Sequence, residues 1–357
     1  MLRLVIALAA CLLTAGFSSS FWPGLSASLA AHLVAPGGTS ALLPPGPINA
    51  ALERLADRDG SVTTSDGVEV FWRAIDPGNY DLSMSWPEGQ TVADTFPDLD
   101  FNVPAAPAAA PRGTVVLLHG WMMHGDSMLP WALRLGEAGY RTIAIDLRNH
   151  GRSGEAPSGY GTREAGDVAD VVSALRERGE LVGPLHLLGV SYGAATAIFA
   201  GADPRVDAES VVAMESFAAA DDAIRDMVPY MLTEAPAPPS AWLTRQWMKW
   251  QLDDAVLEAA IAKAGATLGL PLKGVDVAGA LARVPCPLLV HGDADRHVPV
   301  AHGRALAASA PHARYIEVPG EDHLSLPMQL DALAPEVLEW FEQPGCGGAG
   351  IRTASLP

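Results

Sequence analysis

One serine of the sequence is flanked by glycines in a pattern that is typical of a catalytic nucleophile. The segment LLGVSYGAATAIFA, residues 187–200, is an apolar run that ends in Gly-Val-Ser-Tyr-Gly and continues as small residues with helical spacing. A strand that turns sharply into a helix at Ser191 would expose the hydroxyl, and the turn requires small residues two positions away on both sides. The alternative is a serine that only begins a helix. The pattern favours Ser191 as a nucleophile.

A neutral serine is a poor nucleophile, so it needs a base, and the base needs an orienting acid. Of the ten histidines, His323 lies in PGEDHLSL, after an apolar strand and before the final helical segment. The acid is expected at the end of the preceding strand, where LLVHGDADRHVP supplies Asp293 and Asp295. The spacing does not distinguish between Asp293 and Asp295 as the orienting acid. The order Ser, Asp, His matches a nucleophile carried on a strand–turn–helix elbow.

Apolar strands alternate with amphipathic helices after residue 113, which predicts an α/β fold whose mostly parallel sheet is covered by helices on both faces. We expect a core in two parts, 59–216 and 285–342, interrupted by a helical cap insertion at 217–284. A loosely packed lead-in segment at 21–58 and a disordered tail at 343–357 are expected outside the core.

The insertion should lie over the carboxyl ends of the strands, where ligands bind in such sheets. It contains Trp242, Trp247, Met248 and Trp250. These side chains are expected either to line an acyl pocket or to form the small core of the insertion itself.

The N-terminus, MLRLVIALAACLLTAGFSSS, has one arginine, an apolar stretch and then small polar residues. This pattern predicts a signal peptide or N-terminal anchor at residues 1–20, and therefore export to the cell envelope, to the periplasm or out of the cell. Lipidation of Cys11, which follows Leu-Ala-Ala, and a buried helix of the fold are alternatives. Any membrane association is expected through this segment only.

The formal net charge of −18 argues against nucleic acid as a partner. The three cysteines, Cys11, Cys286 and Cys346, form no cluster with metal-ligand spacing. We therefore expect neither a disulfide framework nor a metal site, and the chemistry above needs no cofactor.

Five blocks in order, LLHGW, AIDLRNHGRSG, LLGVSYG, LLVHGDADRHVP and PGEDHLSL, resemble the α/β-hydrolase superfamily over roughly residues 112–342. The resemblance is to its serine hydrolases, in the esterase and serine-aminopeptidase-like branch. It implies an α/β-hydrolase fold and a catalytic triad of Ser191, Asp295 and His323, since the family pattern G-x-x-D-x-x-V-P puts the acid on Asp295. Glu215 holds a position that some relatives use for the acid.

The resemblance also implies an oxyanion hole made by the backbone N–H groups of Trp121 and Tyr192, with their side chains incidental to that role. His119 is expected to be structural, and Asp146 and Arg148 to fix a loop by hydrogen bonds.

The function implied is cleavage of a small-molecule carboxylic ester through an acyl-enzyme. One alternative is an aminopeptidase or proline-iminopeptidase-like hydrolase that cleaves an amide in a short peptide. The other is a non-catalytic binding protein with the same fold.

Overall fold

The computed structural model describes residues 21–36, 52, 55, 58–91, 97–103, 110–236, 239–342 and 350–353. The predicted signal or anchor segment, residues 1–20, lies outside the described residues. No helix within these described ranges is long and apolar enough to cross a membrane.

Among the described residues, nine strands form one sheet in the order β1-β2-β6-β5-β7-β8-β9-β10-β11. Strands β1 and β2 form an antiparallel hairpin that adds antiparallel to β6, and every pairing from β6 to β11 is parallel. The prediction of a mostly parallel sheet is therefore confirmed. Strands β3 and β4 form a separate two-stranded sheet. The bounds are β1 Arg58–Thr63, β2 Glu69–Ile75, β3 Ser83–Ser85, β4 Asp98–Asp100, β5 Thr114–Leu118, β6 Arg141–Ile145, β7 Leu185–Val190, β8 Ser210–Met214, β9 Pro287–Gly292, β10 Arg314–Val318 and β11 Gly350–Thr353.

Helices cover both faces of the sheet, which is why the central strands are apolar along their whole length. Alternate residues of β5 enter different cores: Val116 and Leu118 pack in one, and Val115 and Leu117 in the other. The α-helices are α1 Phe21–Val34, α2 Leu129–Glu137, α3 Thr162–Glu177, α4 Tyr192–Gly201, α5 Ala220–Thr233, α6 Trp242–Gln251, α7 Asp254–Leu268, α8 Val277–Leu281, α9 Ala301–Ser309 and α10 Leu330–Glu342.

In the described part of the segment between β8 and β9, four α-helices, α5 to α8, make up the inserted cap. Neither of the two expectations for the tryptophans and the methionine of this insertion holds for all four residues. Met248 is buried, but Trp242 is 60% and Trp250 77% exposed, so these two tryptophans line neither a pocket nor a core. Residues 242, 246 and 250 share the outer face of α6 because they are spaced by four.

The lead-in is not loosely packed where it is described. Helix α1 packs along α7, with Leu25, Leu29 and Leu33 buried at a spacing of four. The Tyr160 hydroxyl also donates to the Leu33 carbonyl at 2.7 Å, which joins α1 to the core. The residues between these leucines are mostly serine and alanine, so the buried leucines give the helix no sharp contrast between an apolar and a polar face in the sequence.

The tail also differs from its expectation of disorder, because Gly350–Thr353 forms β11 and pairs in parallel with β10. Backbone hydrogen bonding at a sheet edge requires no particular side-chain pattern. The four residues of β11 therefore show no strand pattern in the sequence. Cys286 is disulfide-bonded, which corrects the expectation of no disulfide. The other two cysteines, Cys11 and Cys346, lie outside the described residues. Sequence spacing alone does not show such a pairing.

The packing of α4 against β5 generates a stability prediction. A Cβ added at Gly193 would lie 2.1 Å from the Leu118 carbonyl oxygen, so the strand or the helix must move. We expect Gly193→Ala to destabilise the protein by about 2–3 kcal/mol. Gly166, inside α3, has nothing within 4 Å of an added Cβ, so Gly166→Ala should stabilise by about 0.5–1 kcal/mol. Denaturant unfolding of both variants checks this, and shifts of the same sign would contradict it.

Candidate active site

Ser191 lies at a sharp turn between β7 and α4, with φ 55° and ψ −115°. This is a strained conformation for a residue with a side chain, and such strain is concentrated at functional sites. The flanking glycines make the turn sterically feasible, because a Cβ at Gly189 would lie 2.2 Å from the Gly193 carbonyl oxygen. The turn is fixed by the Ser191 amide, which donates to the Met214 carbonyl at 2.8 Å.

The structure brings Ser191, His323 and Asp295 together in one hydrogen-bonded chain. His323 Nε2 lies 2.9 Å from Ser191 Oγ, and His323 Nδ1 lies 2.7 Å from Asp295 Oδ2. With Nδ1–H donating to the carboxylate, Nε2 is free to accept the serine proton. Asp293 lies elsewhere, since its carboxylate accepts from the Gly320 amide at 2.7 Å.

Asp295 is held as a carboxylate by its surroundings. Its Oδ1 accepts from the amides of His297 at 2.8 Å and Val298 at 2.9 Å. Burial by itself favours the neutral form, but His323 and His291 beside the group reverse that effect and hold the pKa of Asp295 below its usual value. An ionised acid can both orient His323 and stabilise its imidazolium form.

The predicted oxyanion-hole segment runs beside the serine. A Cβ added at Gly120 would lie 3.7 Å from the Cβ of Ser191, so the loop that carries Trp121 passes next to the nucleophile. Tyr192 is the first residue of α4, and amides in the first turn of a helix have no acceptor within the helix. Both predicted donors therefore belong to segments adjoining Ser191.

Glu215 is a second carboxyl group at His323. It follows β8, is fully buried, and its Oε2 lies 3.6 Å from His323 Nδ1. Neither of its carboxyl oxygens has a hydrogen-bond partner among the described residues. Burial, and then the negative charge of Asp295, raise the pKa of Glu215 well above its usual value, so folding favours the neutral form of this carboxyl group. Of the two acids, Asp295 is the one hydrogen-bonded to the base.

Ligand atoms of Glu215, Asp295 and His323 lie within 4.8 Å of one another, a spacing that a cation could bridge. A cation there would have to displace the proton that Nδ1 shares with Asp295. It would also remove His323 from its contact with Asp295, so the arrangement suits an acid–base pair better than a metal site.

The model of the alpha/beta hydrolase family matches residues 115–337. The chain belongs to this family. The matched range includes the segments that carry Ser191, Asp295 and His323, and membership of the family supports hydrolase activity.

Sequence relatives agree with this assignment. A monoacylglycerol lipase of Mycolicibacterium smegmatis is 32% identical over 227 residues, which cover 56% of this chain and 76% of that protein. A non-heme haloperoxidase of Rhodococcus erythropolis is 25% identical over 313 residues, covering 79% and 98%. An uncharacterised protein of Bacillus subtilis is 29% identical over 180 residues, and the match spans only 58% of its length.

Solved structures show the same fold. An esterase of Pyrococcus furiosus superimposes with a TM-score of 0.56 at 18% identity, covering 87% of this chain and 96% of that one. At this identity the likeness establishes the α/β-hydrolase fold alone.

An aromatic cluster that sequence analysis missed joins the two predicted oxyanion segments of this hydrolase. The rings of Trp121 and Tyr192 are 4.9 Å apart, and Tyr160 stacks on Trp121 at 5.7 Å. His150 completes the cluster, 5.4 Å from Trp121. These ring contacts pack the two segments against each other, which is a structural role separate from the predicted role of the backbone N–H groups. The four aromatic residues are far apart in the sequence, so no sequence pattern predicted that they would be in contact.

The remaining polar residues of the family blocks are structural, as expected. His119 is fully buried, accepts from the Leu147 amide at 3.0 Å through Nε2, and donates through Nδ1 to the Gly120 carbonyl. Burial lowers the pKa of His119 well below its usual value, so the ring is neutral.

Asp146 and Arg148 fix the loop after β6. Asp146 accepts from the amides of Gly125 at 2.6 Å and Arg152 at 2.8 Å. Arg148 forms a bidentate pair with buried Asp167, at 2.6 and 2.7 Å. A buried ion pair of this geometry fixes the loop after β6 against helix α3, which carries Asp167.

The acid loop contacts the cap, which sequence analysis also missed. His297 lies with its ring 5.2 Å from that of His323 and 4.8 Å from that of Tyr230 on α5. Arg296 packs over the same Tyr230 ring at 4.8 Å and pairs with Glu234.

The two acids of the loop generate a first prediction. We expect Asp295→Asn to slow fluorophosphonate labelling of Ser191 by about 100-fold or more, because His323 loses its orienting charge. Asp293→Asn should change the rate less than twofold, since Asp293 only binds the Gly320 amide. The labelling rates of the two variants show which aspartate orients His323. Slower labelling of Asp293→Asn than of Asp295→Asn would identify Asp293 as the acid.

Glu215 generates a second prediction, on stability. A carboxyl whose pKa is raised by folding contributes stability below its unfolded pKa, near 4.5, and loses it as pH rises towards the folded value. Glu215→Gln should therefore gain stability relative to the unsubstituted protein above pH 4.5, by at most about 1.4 kcal/mol per pH unit.

Melting temperatures measured from pH 4 to 8 provide the check. Glu155→Gln, at an exposed position, is the matched control. Parallel curves for the Glu215→Gln variant and the unsubstituted protein would contradict the prediction.

Proposed function

We propose that this hydrolase cleaves carboxylic esters through a covalent acyl-enzyme on Ser191, with His323 as the base and Asp295 as its orienting acid. The observation that carries the proposal is the unbroken chain of two hydrogen bonds, from Ser191 Oγ through His323 to Asp295, at 2.9 and 2.7 Å. A relative described as a monoacylglycerol lipase supports an ester as substrate.

In the first half of the cycle, Ser191 Oγ attacks the acyl carbonyl while His323 Nε2 takes its proton. Negative charge then develops on the carbonyl oxygen. The amides of Trp121 and Tyr192 would donate to that oxygen, and each such donor contributes about 3 kcal/mol to stabilising the transition state. His323 returns its proton to the departing alcohol, which leaves an acyl group on Ser191.

In the second half, water enters beside His323. The same Nε2 takes a proton from the water as it attacks the acyl carbonyl, and the proton returns to Ser191 Oγ as the acid leaves. Asp295 keeps Nδ1 protonated throughout, so that Nε2 always faces the reacting group. The cycle requires neither metal nor organic cofactor.

An aminopeptidase, the runner-up, would need a carboxylate facing the substrate amine on the Ser191 side of the base. Glu215 and Asp295 both lie at Nδ1, on the opposite side of the His323 ring from Nε2. Asp322 is occupied with the amides of its own loop, at Leu324 and Ser325. These positions favour an ester over a free N-terminal peptide.

The test is labelling with a fluorophosphonate followed by peptide mapping. We expect the label on the peptide that contains Ser191 and none in Ser191→Ala. Ser173→Ala, on α3 where the hydroxyl bonds the Ala169 carbonyl, is the control and should label fully. A series of p-nitrophenyl esters beside amino-acid p-nitroanilides then separates ester from amide cleavage. A folded protein that takes no label and turns over neither series would favour a binding protein.

A further inference from the structure

Helix α1 lies outside the range that the family model matches, yet it is linked to the segment that carries a predicted oxyanion donor. The last four carbonyl groups of an α-helix have no amide donor within the helix. One of these in α1, at Leu33, accepts from the Tyr160 hydroxyl at 2.7 Å, and the Tyr160 ring stacks on Trp121 at 5.7 Å. Direct contacts therefore join α1 to Trp121.

The turn that carries Trp121 is strained, so its position depends on what it contacts. The Met123 amide closes it by donating to the Gly120 carbonyl at 3.2 Å, at the long end of the usual range, and Met122 has φ 63°. A left-handed conformation of a residue other than glycine persists only where the surroundings hold it. Because an oxyanion donor must lie within about 3 Å of the developing charge, the Trp121 N–H can serve only if this turn stays in place.

Tyr160 is itself held in a strained conformation that presents its ring to Trp121. Its φ is 52°, which is an outlier for a bulky side chain. The carboxylate of buried Glu164 fixes both neighbours of Tyr160, since it accepts from the amides of Gly159 at 2.9 Å and Gly161 at 2.8 Å. Strain of this kind is concentrated where the placement of a side chain serves function, and here the strained residue is one that contacts Trp121.

The cap holds the same loop. Arg163 donates to the Ser158 carbonyl at 3.0 Å and to the carbonyl of Leu268, the last residue of α7, at 2.8 Å. Helix α1 packs along α7, so the two helices that support the loop around Tyr160 are in contact with each other. A displacement of this helix pair would therefore reach Trp121 through Tyr160.

We propose that Tyr160 is a positioning residue for the oxyanion segment: its ring holds the Trp121 backbone in place, and its hydroxyl ties that ring to α1. This rests on the proposed function, in which the Trp121 N–H donates to the oxyanion. That hydrogen bond is made in the transition state, so the contribution of Tyr160 falls on kcat and leaves the binding of the ester unchanged. Helix α1 thereby supports catalysis from outside the matched range.

Two substitutions separate the ring from the hydroxyl. Tyr160→Phe keeps the ring and removes the hydrogen bond to Leu33, whereas Tyr160→Leu removes both. For a p-nitrophenyl ester we expect kcat to fall about fivefold in Tyr160→Phe and at least about thirtyfold in Tyr160→Leu. KM should change less than about twofold, because both halves of the cycle use the oxyanion donors. The inhibition constant of an aryl trifluoromethyl ketone, whose adduct on Ser191 carries the oxyanion, should rise by the same factors as kcat falls.

Tyr80→Phe is the matched control. Tyr80 is also buried, and its hydroxyl donates to a backbone carbonyl, that of Asp76, in the other core. This variant should leave kcat and the inhibition constant unchanged. Each kcat is expressed per site counted by the end point of fluorophosphonate labelling, so a loss of folded protein lowers the number of sites and not kcat.

Unchanged kcat and inhibition constant in Tyr160→Phe would overturn the proposal. A fall in kcat without a rise in the inhibition constant of the ketone would also overturn it, since the loss would then lie outside the oxyanion hole. Should Tyr160→Leu fail to fold, Tyr160→Phe alone decides. Absence of Ser191-dependent turnover in the unsubstituted protein would instead overturn the proposed function, so the two failures are distinguishable.

Discussion

The imidazole of His323 must hydrogen-bond to two partners at once, and this requirement fixes the relative positions of the strand ends at the carboxyl edge of the sheet. Its Nε2 lies 2.9 Å from Ser191 and its Nδ1 2.7 Å from Asp295, although the three residues follow three different strands, β7, β9 and β10. Slipping one strand by a single residue would move its end by about 3.3 Å, far more than a hydrogen bond tolerates. Continuous parallel pairing from β7 to β10 is therefore what sets the geometry.

The glycines of the family blocks serve this requirement by letting backbones approach closely. A Cβ at Gly193 would lie 2.1 Å from the Leu118 carbonyl oxygen, and one at Gly292 would lie 2.2 Å from the Glu321 carbonyl oxygen. The first contact seats the helix that follows Ser191 against β5. The second seats the acid loop against the loop that carries His323. In this chain, glycines of the catalytic motifs are therefore also needed for the packing of the segments that carry Ser191 and Asp295.

The sequence predicted the features that arise from local patterns. Alternating apolar strands and helices gave the parallel sheet, and the order of the blocks gave the three residues that the structure brings together. Spacing alone left Asp293 and Asp295 undecided, because both follow the same strand, and only the family pattern favoured Asp295. The packed helix α1, the edge strand β11, the disulfide of Cys286 and the aromatic cluster around Trp121 were missed. Each of these features depends on contact between segments that are far apart in the sequence. The periodicity of apolar residues is a local pattern and does not predict such contacts.

The contacts of the acid loop connect the cap to the base. Tyr230 on α5 packs against His297, whose ring lies against His323, and Arg296 adds its pairing with Glu234. A movement of α5 would therefore disturb the packing of His297 against the base. The charge state of His297 matters for the same reason. Burial, and then the proximity of His323, lower the pKa of His297 to about 4, so its ring is neutral at physiological pH. A charged ring at 5.2 Å would oppose the imidazolium that forms when His323 takes the proton from Ser191, whereas a neutral ring supports it by packing without repelling its charge.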